Sequence, residues 1–241
     1  MAKHISRHEL KTDQVQEALS HSAEAVLSHK TALIYGALIV IVVGGGIFGW
    51  RFYTQRQTVK AAAGFSDAMQ IFQAPVIGAG QAPEPNQISY SDSTKKYQDA
   101  LKKFQDVAGH YGKTRPGQLA HYYAALCFEH LKQDPQAIDQ LSSVQNSPDQ
   151  DFAAMARFEL AQIYDRDGKG DQAVRLYNEL LKSPSVLVPE PEVMLALAQH
   201  YRQTNPAQAA KLYNEIKAEY PDSGAADQAD QQLALIPAGK S

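Results

Sequence analysis

The 241-residue sequence sets 23 Lys and Arg against 26 Asp and Glu, a formal net charge of −3, and carries one cysteine. A balance this even, with the two signs interspersed, excludes the broad basic field that nucleic-acid binding requires, and a lone cysteine excludes an intrachain disulfide framework. Apart from one apolar stretch and the tail before it, about 190 residues remain, enough for one sizeable domain or an elongated array.

Residues 1–30 are expected to form a polar tail on the cytoplasmic side, where Lys3, Arg7, Lys11 and Lys30 are offset by Glu9, Asp13, Glu17 and Glu24. His4 and His8 stand one helical turn apart. Without a third ligand at fixed spacing they read as tail residues and not as a metal site. From Asp13, an N-cap residue type, Val15, Ala18, Leu19, Ser22, Ala23 and Val26 recur at threes and fours. That period predicts a short amphipathic helix with too few bulky side chains to hold lipid firmly.

Thr31 to Trp50 is a run of twenty residues without Asp, Glu, Lys, Arg, Asn or Gln. As a helix it reaches roughly 30 Å, the thickness of a hydrocarbon core. It lacks the polar stripe of a helix in a soluble domain and ends in Trp50, Arg51, Phe52 and Tyr53, an aromatic and basic interfacial anchor. A transmembrane helix is therefore predicted over residues 31–53. A cleaved signal peptide fits less well, because its charged leading region would be thirty residues long and the first A-x-A after the apolar run, Ala61 to Ala63, lies beyond Arg51, Arg56 and Lys60. Gly45 and Gly49 form a G-x-x-x-G pair that would allow a second membrane helix to approach, a weak signal because glycine is common in such spans.

After the anchor, Val59, Ala62, Phe65, Met69 and Phe72 keep a helical period up to Pro75. Residues 54–73 are thus predicted to continue the span as the first helix of a domain. Residues 74–92 hold three prolines and two glycines without periodicity and read as a mobile connection.

From residue 93 onward the pattern is helical and repeats. Ala137, Ala173 and Ala209 lie 36 residues apart, each four before a bulky residue (Leu141, Tyr177, Tyr213) and seven before another (Val144, Leu180, Ile216). A small residue stands eleven or twelve places upstream of each, at Ala125, Ala161 and Ala198, and an aromatic eight or nine upstream, at Phe128, Tyr164 and Tyr201. Ala100, Phe104 and Val107 are an earlier, degenerate copy. These spacings describe a helical hairpin. Small residues let antiparallel helices cross closely, aromatics fill the wedge between hairpins, and Asp134-Pro135, Asp167-Gly168 and Asn205-Pro206 supply the turns. Gly224 to Ile236, with Ala226, Ala229, Leu233 and Ile236 on one face, is predicted to cap the array.

Leu160-Ala161-x-x-Tyr164, Ala173-x-x-x-Tyr177-x-x-Leu180, Leu197-Ala198-x-x-Tyr201, Ala209-x-x-x-Tyr213 and Pro221 together resemble the tetratricopeptide repeat over residues 118–221. The period of 36 departs from the ~34 of that family, the extra residues falling in connections such as Ser183 to Pro191. The fold expected is all-α, one transmembrane helix followed by an α-solenoid of helix pairs over residues 93–236.

No sequence pattern points to chemistry. Asp165 to Asp171 alternates acids with a glycine at the sixth place of a calcium loop, but Lys169 and Leu176 stand where that loop needs an oxygen ligand and a bidentate Glu. It reads as a hairpin turn. Phosphate-loop, nucleophile-elbow, zinc-protease and C-x-x-C motifs are absent, so neither catalysis nor a cofactor, metal or small-molecule substrate is expected. The resemblance instead implies a groove lined by the first helix of each hairpin. Its members would be Leu119, Tyr122, Leu126 and His130, then Met155, Phe158, Gln162 and Arg166, then Leu195, Gln199 and Arg202. Tyr122 and Leu126 occupy places where a carboxylate clamp would need basic and amide residues, so the groove suits an apolar segment or a partner helix. The same aromatics could equally pack against neighbouring helices.

Tail, anchor ending Gly49-Trp50-Arg51-Phe52-Tyr53, helical extension and degenerate repeats together resemble the ancillary subunit of the bacterial SecYEG translocon. That resemblance implies a single-pass inner-membrane protein whose domain lies in the periplasm and contacts the translocon, periplasmic chaperones and secretory chains. Tyr220-Pro221-Asp222-Ser223 is similar to periplasmic repeat proteins of envelope assembly. The charges nearest the membrane, Lys30 against Arg51, Arg56 and Lys60, argue for the opposite topology, although long domains translocate largely regardless of charge. The alternative is a cytosol-facing repeat receptor or assembly scaffold anchored by its N-terminus.

Overall fold

Five helix starts among the described residues are marked by short polar side chains that accept from the free amides of the first turn. Asp92 accepts from Thr94 and Lys95, Thr114 from Gly117, Asp149 from Phe152, Asn205 from Gln208 and Ser223 from Ala226. The computed structural model describes residues 30–78 and 87–236. The tail with His4, His8 and the period from Asp13 to Val26 lies outside the described residues, as do 79–86 and 237–241.

Among the described residues there are nine helices: α1 (Lys30–Gln73), α2 (Ser93–Tyr111), α3 (Arg115–His130), α4 (Asp134–Ser142), α5 (Gln150–Arg166), α6 (Gly170–Lys182), α7 (Glu190–Thr204), α8 (Pro206–Glu219) and α9 (Gly224–Leu233). They contain no strand; Val76 and Tyr90 form an isolated bridge. The chain divides into two compact units, Met1–Arg56 and Gln57–Ser241.

The described part of the first unit is helical throughout. Its apolar side chains, from Ile34 to Tyr53, are exposed, and the helix is long and apolar enough to cross a membrane. The Arg56 guanidinium lies 4.3 Å over the Phe52 ring, an aromatic and basic pair of the kind found at lipid interfaces. No break separates the predicted anchor from its extension: α1 runs to Gln73.

In the second unit, α3 pairs with α4, α5 with α6, α7 with α8, and α9 packs on both α8 and α7. The first helices also meet in succession, α3 with α5 and α5 with α7. The repeat phase read from the sequence holds. Ala125, Ala137, Ala161, Ala173, Ala198 and Ala209 are all fully buried, and Leu141, Tyr177 and Tyr213 sit beside them with 1% or less of their surface exposed. Residues 57–73 of α1 supply a further first helix, burying Ala61 and Ala68 against α2 and α3. A Cβ at Gly64 would stand 2.8 Å from Val107 Cγ2, so the missing side chain is what lets α1 and α2 approach.

Two connections differ from the expected ones. The described ends of the 74–92 segment are fastened, Ile77 donating to Tyr90, Tyr90 to Pro75, and the buried Lys96 ammonium to the Ala74 carbonyl. In the first turn, Asp134-Pro135 does not make the reversal but opens α4; the left-handed residue is Lys132, φ 60°. Its counterpart one repeat later is Gly168, φ 72°, the residue type expected there. The extra residues of the longer period, 183–189, are tied down by Asp151, which accepts from the Ser185 hydroxyl at 2.7 Å and the Val186 amide at 3.2 Å. The cap helix ends at Leu233, short of Ile236, with Ala225, Ala226 and Ala229 buried.

Candidate functional site

Along α3 and α5, residues whose spacing puts them on one helix face form a half-buried apolar shelf. Leu119 and Met155 line a cavity of about 580 Å³ together with Thr58, Tyr123, Phe152 and Leu187. Tyr122 and Phe158 are partly buried against the core, Phe158 edge-on to Tyr177 at 6.1 Å and Tyr122 edge-on to Tyr123 at 5.5 Å. Leu126 lines a second cavity of about 290 Å³ with Glu129, His130, Lys132, Asp134 and Arg166.

The remaining predicted groove residues are placed less uniformly. His130 stacks on Tyr97 at 3.9 Å with planes 6° apart, and burial followed by the nearby Lys96 charge holds its imidazole below the ordinary value. It belongs to the aromatic packing around α2 as much as to the shelf. Gln162 is half-buried, and Gln199 is exposed. Leu195 is 4% exposed and lies in the core cluster with Ala225, Ala226 and Ala229. Its assignment to the groove is corrected: α9 packs on α7 and closes the end of the array, so the inner position that is accessible on α5 is core on α7. Arg166 and Arg202 stay at the surface but are engaged internally, Arg166 with Glu129 at 2.9 Å and Asp134 at 3.8 Å, Arg202 with the Gln232 side chain.

Arg166 belongs to a set of polar pairs joining consecutive hairpins, which reading the sequence missed. Tyr122 donates to Glu159 at 3.4 Å, Arg166 to Glu129, and His200 Nδ1 meets Asp165 at 2.5 Å. The partners are 37, 37 and 35 residues apart, one repeat period, so the signal was present in the spacing. It was hidden because charged residues on a helix read as solvated faces. Gly170 serves one of these pairs, since a Cβ there would stand 2.6 Å from the His200 ring.

The shelf offers apolar area and ring faces flanked by fixed charge, suited to holding a polypeptide side by side with the helices. Among the described residues no group of three His, Cys, Asp or Glu is placed to hold a metal ion.

A family model described as tetratricopeptide repeat-like domain matches residues 28–183, more than half of the chain, and a tetratricopeptide repeat model matches residues 152–224. No curated protein matches the sequence.

Proposed function

The chain belongs to the tetratricopeptide repeat-like family, and from that premise we propose that it is a membrane-anchored scaffold that holds a polypeptide partner on the α3/α5 shelf. Repeats of this class are protein-interaction modules. The observation that carries the reading is the shelf itself: Leu119, Tyr122, Leu126, Met155 and Phe158 stand half-buried on two adjacent first helices, with Leu119 and Met155 lining one cavity and Leu126 another. Two are aromatic, the residue type in which binding energy concentrates. The exposed apolar side chains between Ile34 and Tyr53, on a helix long and apolar enough to cross a membrane, support an anchor over residues 31–53 in the lipid bilayer.

Within this reading, resemblance to the ancillary translocon subunit favours the bacterial inner membrane, a periplasmic domain, and the translocon, periplasmic chaperones or secretory chains as partners. Photocrosslinking from residues 122 and 158 in the membrane-embedded protein tests it. Adducts with a translocon-associated chaperone or a secretory chain are expected, and adducts obtained only from the opposite face of the array would refute the shelf. The second reading, a cytosol-facing receptor or assembly scaffold, is favoured by Arg51, Arg56 and Lys60 following the apolar stretch. A reporter enzyme active only in the periplasm, fused after Ser241, separates the two.

A further inference from the structure

The repeat fixes the edge by which the chain enters the array. Residues 57–73 of α1 are a first helix like α3, α5 and α7, and the beginnings of these helices gather in one place. Thr58 of α1, Arg115 and Leu119 of α3, Phe152 and Met155 of α5, and Leu187, three residues before α7, line the same cavity of about 580 Å³. Side chains tie this edge together: Arg115 pairs with Asp149 at 3.3 Å, Ser147 donates to Gln118 at 2.9 Å, and Asp151 holds the 183–189 connection through Ser185 and Val186. Yet the tip of that connection stands in the open. Val186 is 85% exposed and Leu187 49%, and among the described residues after Gln57 no large apolar side chain is more exposed than Val186. Charge around the cavity is sorted in the same way, with Lys60, Lys113 and Arg115 exposed and the acids Asp149, Asp151, Glu190 and Glu192 half-buried.

We propose that this edge rests on the phospholipid surface of the membrane that holds the anchor, Val186 and Leu187 entering the headgroup layer while Lys60, Lys113 and Arg115 meet lipid phosphates. Chain length decides the occupant. Thr58 follows Tyr53, the last residue of the predicted anchor, by five residues, so even a fully extended chain keeps the cavity wall within roughly 18 Å of the interface, whatever direction the domain takes. Within that reach the headgroups are a tethered partner, present at an effective concentration that a diffusing protein does not match. Two aliphatic tips would not hold a free domain on lipid, but on a tethered one the contact needs no second encounter. The contact rests on the anchor in the proposed function. It leaves Tyr122, Leu126 and Phe158, farther along their helices, open to a polypeptide.

The test uses the full chain in phospholipid nanodiscs, with a polarity-sensitive dye on one introduced cysteine at a time and a nitroxide on the lipid acyl chain close to the headgroup. The native Cys127 is buried and shielded from the label. The dye at Val186→Cys is expected to be quenched about threefold or more beyond the dye at Gln203→Cys, an exposed position roughly 20 Å away along α7. Adding Leu187→Asp should remove most of that difference. Phe48→Cys, inside the predicted anchor, should be quenched throughout. Quenching at Phe48→Cys with equal values at 186 and 203 overturns the contact and leaves the anchor standing, whereas no quenching at Phe48→Cys overturns both. A blue-shifted dye at 186 without quenching means that protein and not lipid covers the edge, and it too overturns the contact.

Discussion

Between α1 and α3 the space is filled by rings. Phe65, Phe72, Phe104 and Tyr123 form contacts with centroids from 5.4 to 6.0 Å apart, and Tyr97 and His130 extend the stack. Between α5 and α9 the corresponding space is filled by alanine, leucine and tyrosine repeated in register, with Ala161, Ala173, Ala198 and Ala209 at the crossings. Small residues at a fixed period set one interhelix distance that each new hairpin can reuse, which makes an array extensible. Rings set a distance particular to their own shapes, and the small residues beside them on α1, Ala61, Gly64 and Ala68, follow the turn of one helix and not the repeat period. The first hairpin is thus a terminus and the later ones are repeats.

The comparison can be broken most severely at Phe104, which is fully buried among three rings. Phe104→Ala should cost about 3 to 5 kcal/mol of unfolding free energy, measured by urea denaturation of a fragment from Gln57 onward. A cost under about 1 kcal/mol would mean that the ring cluster adjusts like an ordinary surface. In the repeat half, Ala173→Trp overpacks a helix crossing and should cost roughly 1 to 3 kcal/mol or more, while Lys182→Trp at an exposed position stays within about 0.5. Equal denaturation midpoints with unchanged m-values would refute the phase.

Gly64→Ala gains helix propensity but drives a Cβ against the stiff Val107 side chain, so a net loss of about 1 kcal/mol is expected. Adding Val107→Ala should recover that clash in a double-mutant cycle, and simple additivity would count against it. The smallest effect is a gain. Lys132 bears the cost of a left-handed backbone that Gly168 avoids one repeat later, and Lys132→Gly should stabilise by about 0.5 to 1 kcal/mol. A thermal midpoint unchanged or lowered by that substitution would show that the lysine side chain has compensating contacts.

What the sequence made legible follows from the same contrast. Ala137, Ala173 and Ala209 announce their packing because a crossing tolerates few other residues, and the recurrence can be counted. Phe104 and Phe72 announce only burial, since rings fill irregular space without a period. Lys132 gave no turn signal because its conformation is imposed by α3 and α4 on either side and not by its own preference. Glu129 and Arg166 looked like solvated charge until neighbouring hairpins brought them together. The error at Leu195 came from transferring an inner position along the array without allowing for the helix that closes its end.

Cys127, the one cysteine in the sequence, is fully enclosed by the ring cluster, and burial pushes its thiol up to about 12. A thiol so shielded yields almost no thiolate, the species that oxidants and alkylating reagents attack. The folded domain consequently has the same covalent structure in an oxidising or a reducing compartment, and crossing the bilayer would leave no redox mark on it. Only opening of the ring cluster uncovers the sulfur. The rate at which a thiol reagent labels the native protein is then a clock for that opening, built into the chain at a single position and silent everywhere else.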